Sequence, residues 1–156
     1  MKDVVVSADY IDASGETHSV NADEMKLSYR HSVFAENPDN IITDMTLRLE
    51  KGNHDEIQAE MKTLMQKRLD KQPLEYPSAG STFKRPEGSY ASLLIEQCGL
   101  KGLTYGGAQV SEKHSGFVVN KGNATFEDVI KLTDEVKKTV LEKTGYSLEL
   151  EPVILK

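Results

Sequence analysis

Apolar residues recur along this chain with two different spacings, one typical of strands and the other typical of helices. Residues 4–10 and 17–20 flank the turn sequence Asp-Ala-Ser-Gly at 12–15, which predicts a β-hairpin. Residues 41–50 alternate apolar and polar side chains, and this pattern predicts a strand with one buried face. The remaining predicted strands are residues 117–119 and a closing strand at 148–155.

Three segments are predicted to be helical. Asn53 followed by Glu56 resembles a capping box, and it begins a long helix that ends before Pro73. The apolar stripe of this helix is typical of a core-facing surface and consists of Ile57, Met61, Leu64, Met65 and Leu69. A short helix contains Cys98, and a second long helix runs from Thr125 to Gly145 with Val129, Leu132, Val136 and Val140 on one face. Together these elements predict an α+β fold.

Composition and charge limit what the chain can bind. With 156 residues, 38% hydrophobic and 28% charged, the chain is typical of a globular protein with one core or two small units. No apolar run approaches the roughly 20 residues that span a bilayer. The net charge of −6 argues against nucleic-acid binding but allows a local cation cluster for an anionic small ligand. The chain has a single cysteine, Cys98, which excludes an internal disulfide and is typical of a protein in a reducing cytosol. Cys98 is expected to be a core residue.

Residues 76–86, Tyr-Pro-Ser-Ala-Gly-Ser-Thr-Phe-Lys-Arg-Pro, concentrate hydroxyls and cations between two prolines. Gly80 permits unusual φ angles, and the prolines restrict both ends, so Ser81 is predicted on an exposed, rigid turn. Ser81, Lys84 and Arg85 would offer a hydroxyl proton and positive charge to an anionic substrate. The alternative is a plain connecting turn with solvated charges, and the spacing alone favours it because no base adjoins Ser81.

The run at 77–86 resembles a signature of the UDP-N-acetylenolpyruvoylglucosamine reductase family. The resemblance continues in the same order through residues 28–34, 95–102, 106–120 and 148–151, and therefore covers nearly the whole chain. It implies that residues 1–70 form the second half of an FAD-binding domain, to which a closing strand at 146–156 returns. It also implies a substrate-binding domain at 71–145. The family's earlier segment, with its glycine-rich loop for the FAD pyrophosphate, has no counterpart, so we expect a C-terminal portion of the enzyme.

The activity implied by this resemblance is a cytoplasmic step of peptidoglycan biosynthesis. NADPH reduces FAD, and the flavin then reduces UDP-N-acetylglucosamine enolpyruvate to UDP-N-acetylmuramate. We expect this chain alone to hold FAD poorly and to lack reductase activity. Two alternatives remain: a non-catalytic module that binds nucleotide sugars, and an interaction domain whose motifs are inert.

The resemblance also implies roles for individual residues. Ser81 matches the family's proton donor, and Arg30 matches the arginine that holds the enolpyruvyl carboxylate. Glu151 matches the catalytic glutamate near the C-terminus. The family usually has Glu-Val there, whereas this chain has Glu151-Pro152, so Glu149, on the same face of a strand, stays an alternative.

Four further residues are implied on the substrate side, although each also suits a structural role. Lys71 matches a lysine that contacts the diphosphate, and Arg85, His114 and Tyr29 fall at or beside substrate-contact positions. No metal site is predicted, because His18, His31 and His54 lack metal-ligand spacing. The pair Gly106-Gly107 lacks phosphate-loop spacing, and close backbone packing is its expected role.

Overall fold

Seven strands and four helices make up the part of the chain that the structure, a computed structural model, describes, namely residues 1–155. The strands form two antiparallel sheets and the helices are not interleaved between parallel strands, which confirms the predicted α+β class. The chain divides into two compact units, Met1–Ile57 and Gln58–Lys156. Within the described residues, no helix is long and apolar enough to cross a membrane.

The first unit is built on a three-stranded sheet with the order β2-β1-β3. Strands β1 (Val5–Ile11) and β2 (Thr17–Asn21) form the predicted hairpin, which is confirmed. Its turn is held by Asp12, whose Oδ1 accepts hydrogen bonds from the Ser14 N–H at 2.9 Å and the Glu16 N–H at 3.0 Å. The small core consists of Val5, Ala8 and Met25. A short helix, α1 (Val33–Glu36), follows the hairpin along the chain.

Strand β3 (Ile41–Leu47) forms where alternation predicts it, but the predicted buried face is wrong. All of its residues are exposed, including Ile41 at 65% and Leu47 at 42%. Alternation sets which side chains share a face of a pleated strand, whereas burial requires a second layer over that face. The core of this unit lies on β1 and does not include β3.

Helix α2 (His54–Lys71) begins at the predicted cap. The Asn53 side chain accepts hydrogen bonds from the Asp55 N–H at 2.9 Å and the Glu56 N–H at 3.3 Å. The predicted burial of its apolar stripe is wrong, because no residue of the helix is buried. Leu69 is 45% exposed and Met61 is 59% exposed. Helical spacing collects apolar side chains on one face, but it does not supply a surface to cover them.

The second unit contains a four-stranded sheet with the order β4-β7-β6-β5. Its strands are β4 (Ser78–Ser81), β5 (Thr104–Tyr105), β6 (Ala108–Val110) and β7 (Phe117–Asn120). Helices α3 (Ala91–Gln97) and α4 (Phe126–Thr144) pack with this sheet around Ile95, Val110, Leu132, Val136 and Val140, each at most 1% exposed. Cys98 is buried in the same core, as predicted. The predicted face of α4 is therefore confirmed.

Both ends of α4 follow the sequence prediction. Thr125 Oγ1 accepts a hydrogen bond from the Asp128 N–H, and the Asp128 carboxylate accepts one from the Thr125 N–H at 2.9 Å, which completes a capping box. These bonds, with a longer one from Gly107 N–H, hold the pKa of Asp128 below its usual value. Gly145 ends the helix with a left-handed φ of +76°.

The C-terminal segment corrects the prediction of a closing strand at 148–155. Only an isolated antiparallel bridge, between Phe83 and Leu150, forms among the described residues there. Pro152 lacks an N–H group and cannot extend the ladder. The segment belongs to the second compact unit by its contacts. The assignment of residues 1–70 and 146–156 to a flavin domain, and of 71–145 to a substrate domain, stays a prediction.

Replacing Gly107 by alanine should destabilise the second unit. A β-carbon there would overlap the backbone of Gly122 and Ala124, and backbone cannot move as a flexible side chain would. We expect a loss of about 1–3 kcal/mol in the free energy of unfolding, measured by urea denaturation. The matched control is Gly122→Ala, whose β-carbon meets nothing within 4 Å. Equal stability of the two variants would contradict the packing described here.

The carboxylate of Asp128 should make stability depend on acid pH. Because its folded-state pKa is lowered, its contribution is present above the unfolded value of about 3.9 and is lost as pH falls through the folded value. We expect Asp128→Asn to lower the urea midpoint at neutral pH, and we expect this difference from the parent to shrink as the pH is lowered below about 4. Asp134→Asn, at an exposed carboxylate on the same helix, is the control. A difference that persists unchanged in acid would refute this account.

Candidate functional site

Ser81 ends strand β4 and is exposed. The strand pairs with β7 through Ser78↔Val119 and Ser81↔Phe117, and the register shifts between these two pairs. Gly80 lies within the shift at φ +81°, a conformation that L side chains rarely adopt. The predicted exposed turn is thus a short, irregular strand that presents Ser81 at its end.

Thr82, which the sequence analysis passed over, fixes the backbone beside Ser81. Its N–H donates to the Gly116 carbonyl at 2.8 Å, and its Oγ1 accepts from the Val118 N–H at 2.9 Å. Its carbonyl accepts from the Glu151 N–H at 3.0 Å. The residue is only 5% exposed, so these hydrogen bonds are sheltered from water. The only sequence signal for Thr82 was a hydroxyl directly after Ser81, and the pattern of apolar and polar residues did not predict that this hydroxyl would be buried.

The two candidate glutamates have different partners. Glu149 accepts a backbone hydrogen bond from the Lys84 N–H at 2.8 Å, and its Oε2 lies 3.1 Å from Lys84 Nζ. Glu151 instead donates its N–H to Thr82, the residue that follows Ser81. The structure therefore pairs Glu149 with Lys84 and places the Glu151 backbone next to the Ser81 segment. Lys84, predicted as a free cation, is partly neutralised by this ion pair.

His114 occupies a tight loop opposite the same segment. Its N–H and that of Lys113 donate to Ser111 Oγ, at 3.3 and 3.2 Å. Its Nδ1 accepts the Gly116 N–H at 3.1 Å, and its ring meets the edge of Phe117 with centroids 5.0 Å apart. Because Nδ1 is the acceptor here, the proton of the neutral ring resides on Nε2. His114 therefore presents a hydrogen-bond donor, adjacent to the strand that pairs with Ser81.

Lys71 and Arg85 are the remaining candidate residues of the second unit. Lys71 is the last residue of α2 and is exposed. The end of that helix is tied to the His114 loop, because Lys113 Nζ donates to the Leu69 carbonyl at 2.7 Å. The Arg85 guanidinium lies 4.1 Å from the centroid of the Tyr90 ring, which is a cation–π contact. Lys113 was not identified from the sequence, since nothing there marks its distant partner.

Tyr29 and Arg30 belong to the first compact unit. They occupy a turn closed by the Ser28↔His31 bridge, and Arg30 has a positive φ of 55°. A non-glycine residue in this region is uncommon and has a conformational cost. The Arg30 guanidinium lies 5.7 Å from the Tyr29 ring centroid, and Tyr29 is 64% exposed. The turn thus presents a cation and an aromatic ring to solvent.

The predicted packing role of Gly106-Gly107 is confirmed, and it excludes the pair as a phosphate loop. β-Carbons at these positions would meet the Asp128 carboxylate and the backbone of Gly122. The Gly107 N–H points at Asp128 Oδ2, 3.5 Å away. A phosphate would meet a carboxylate here instead of free N–H groups. This glycine pair therefore does not fit the pyrophosphate of a flavin dinucleotide.

A cavity of about 710 Å³ in the second unit borders this site, because Thr82 and Pro152 are among its lining residues. Its walls are mostly apolar and include Val119, Phe126, Ile130, Leu150 and Ile154. Ser81, Arg85, His114 and Glu151 are absent from its described lining. An apolar wall offers few partners to a charged diphosphate, so we place the candidate site at the charged and hydroxyl side chains beside this cavity.

Comparison with known proteins gives a consistent result. Residues 72–155 match the family model described as UDP-N-acetylenolpyruvoylglucosamine reductase, C-terminal domain. The UDP-N-acetylenolpyruvoylglucosamine reductase of Caldanaerobacter subterraneus subsp. tengcongensis is 51% identical over 99% of this chain and 50% of its own length. That of Lachnoclostridium phytofermentans is 50% identical over 97% of this chain and 48% of its own length.

A solved structure is also similar. The crystal structure of the UDP-N-acetylenolpyruvylglucosamine reductase from Thermus caldophilus superimposes with a TM-score of 0.78 at 32% identity. The superposition covers 96% of this chain and 52% of that one. The chain therefore spans about half the length of the curated relatives it matches.

Proposed function

This chain belongs to the UDP-N-acetylenolpyruvoylglucosamine reductase family, and we propose that it supplies the substrate-binding surface and the proton donor of such a reductase. The proposed reaction converts UDP-N-acetylglucosamine enolpyruvate to UDP-N-acetylmuramate for peptidoglycan biosynthesis in the cytoplasm. Reducing equivalents come from NADPH through FAD, and every residue assigned below acts on the nucleotide sugar. The observation that supports this proposal is the hydrogen bond from the Glu151 N–H to the carbonyl of Thr82, the residue that follows Ser81.

Ser81 is the proposed proton donor. Hydride addition to one carbon of the enolpyruvyl double bond leaves enolate-like charge, and the neighbouring carbon must then receive a proton. An ordinary serine hydroxyl is a weak acid, so the transfer needs fixed geometry and stabilisation of the developing charge. The bonds of Thr82 hold the adjoining backbone in place and support this role.

Glu151 is the proposed catalytic carboxylate in preference to Glu149. Glu149 already forms an ion pair with Lys84 at the exposed surface, which favours a surface role for this carboxylate. Glu151 lies two residue pairs closer to Ser81 along the two paired segments, because Glu149 lies opposite Lys84 and Glu151 lies opposite Thr82. A carboxylate there would orient a cationic side chain of the site and adjust the charge at the reacting carbon of the substrate.

The remaining assignments follow the chemistry of the nucleotide sugar. Arg30 would hold the enolpyruvyl carboxylate, because a planar guanidinium offers two parallel donors, and Tyr29 would border it. Lys71 would contact the diphosphate as a mobile point charge. Arg85 and the Nε2–H of His114 would supply further donors. These local cations account for anion binding by a chain whose net charge is −6.

A second candidate function is a non-catalytic module that binds nucleotide sugars. It is favoured for the chain tested alone by the unsuitability of Gly106-Gly107 for a pyrophosphate. We propose that the chain tested alone holds FAD poorly and does not oxidise NADPH.

Nucleotide-sugar binding can be measured on this chain by an amide chemical-shift titration with UDP-N-acetylglucosamine enolpyruvate. We expect shifts to gather around Lys71, Ser81, Arg85 and His114. Lys71→Ala should weaken binding by about tenfold through loss of a charge-assisted contact, whereas Lys138→Ala, at an exposed lysine on α4, should not. A folded sample that shows no shifts at saturating ligand would end the binding-module proposal.

Catalytic roles can be tested in a chimera that joins this chain to the remaining half of the Caldanaerobacter subterraneus reductase. Ser81→Ala should slow the step in which substrate oxidises the reduced flavin by about 10²–10⁴-fold, because a general acid is lost. Reduction by NADPH should be unchanged. Stopped-flow absorbance separates the two half-reactions.

The same assay distinguishes the two glutamates. Glu151→Gln should slow the substrate half-reaction, and Glu149→Gln should leave it near the parent rate. The unmodified chain alone provides the negative control for NADPH oxidation. A larger effect at Glu149 would reverse the assignment of the carboxylate.

A further inference from the structure

The hairpin of the first unit brings three potential metal ligands together. Asp12, Glu16 and His18 each offer one ligand atom, and these atoms lie within 4.8 Å of one another. The register of β1 and β2 produces this cluster, because Ile11 pairs with Thr17 and Tyr10 pairs with His18. The turn between them therefore folds Asp12 and Glu16 back toward the histidine. Within residues 1–155 no other three His, Cys, Asp or Glu side chains bring their ligand atoms this close together.

Hydrogen bonds orient the carboxylate of Asp12. Its Oδ1 holds the turn by accepting from the Ser14 N–H, the Ser14 hydroxyl and the Glu16 N–H. Its Oδ2 lies 2.7 Å from His18 Nε2. Oδ1 of Asp12 therefore stabilises the turn, and Oδ2 faces the imidazole of His18.

Charge and packing also favour a ligand role. Asp12 and Glu16 bring two carboxylates to this cluster, which favours a cation. The His18 ring stacks on Tyr10 with centroids 5.2 Å apart, which restricts its rotation. The side chains of His18 and Asp12 are 39% and 29% exposed, so an ion can reach them from solvent.

We propose that Asp12, Glu16 and His18 form a binding site for one divalent transition-metal ion, with Zn²⁺ as the reference ion and water completing the coordination. One imidazole and two carboxylates suit zinc, cobalt, nickel or copper better than magnesium or calcium, which prefer oxygen alone. Zinc bonds of about 2.0–2.2 Å require the three ligand atoms to close inward, and the ion takes the place of the Asp12–His18 hydrogen bond.

The other histidines provide a contrast and explain why sequence spacing predicted no metal site. His31 lies 3.1 Å from one carboxylate, that of Glu36, and His54 lies 3.3 Å from that of Asp55. Neither belongs to a three-ligand group among the described residues. In the sequence, Asp12 and His18 are six residues apart, and only hairpin pairing makes them neighbours.

Isothermal titration of this chain with Zn²⁺ tests the site, with imidazole shifts of His18 followed by NMR in parallel. We expect one bound ion per chain, with Mg²⁺ and Ca²⁺ failing to compete at equal concentration. His18→Ala and Glu16→Gln should each weaken binding at least about tenfold. His54→Ala is the matched control and should retain the affinity of the parent.

Two outcomes would overturn the proposal. One is the absence of saturable Zn²⁺ binding by the parent chain in the millimolar range. The other is binding that does not depend on these ligands. Zn²⁺ binding would then be unchanged in Glu16→Gln, or weakened as much in His54→Ala as in His18→Ala. Glu16 is exposed at the turn, so its substitution decides the matter even if His18→Ala disturbs the hairpin.

Discussion

The buried hydrogen bonds of Thr82 are the constraint on which the arrangement of the candidate site depends. They join three stretches of chain: the end of β4, the strand β7 with the loop before it, and the C-terminal segment. Each bond is sheltered from water, so breaking one would leave a buried polar group without a partner. The three segments that carry Ser81, His114 and Glu151 are joined by these hydrogen bonds of Thr82.

Electrostatics at the site follow from local pairing and not from net charge. The chain is acidic overall, yet Lys71, Arg85 and the donor face of His114 lie on connected segments of the second unit. Lys84 forms an exposed ion pair with Glu149, whereas the backbone N–H of Glu151 bonds to Thr82, the residue after Ser81. An anionic nucleotide sugar could therefore be recognised by a few positioned donors without a basic surface.

Apolar surface is buried unevenly along the chain. The second unit encloses a core with several side chains at most 1% exposed, whereas β3 and α2 leave their apolar residues in water. The apolar residues of α2 have helical spacing, but this helix is less amphipathic than α4, and of the two it is α4 that packs against a sheet. Exposed apolar residues of this kind show that periodicity predicts a face and not its partner.

Local features of the sequence determined much of this protein. The β1–β2 hairpin, the Asn53 and Thr125 caps, the Gly145 stop and the α+β class follow from turn residues, capping chemistry and apolar spacing, because these interactions span a few residues. The motif at 77–86 identified the family and the candidate serine. Only the tertiary structure decided which stripe is buried, which glutamate lies beside Ser81, and that Asp12, Glu16 and His18 converge. Each of these depends on contacts between residues that are distant in sequence or brought together by strand pairing, and spacing along a chain carries no such information.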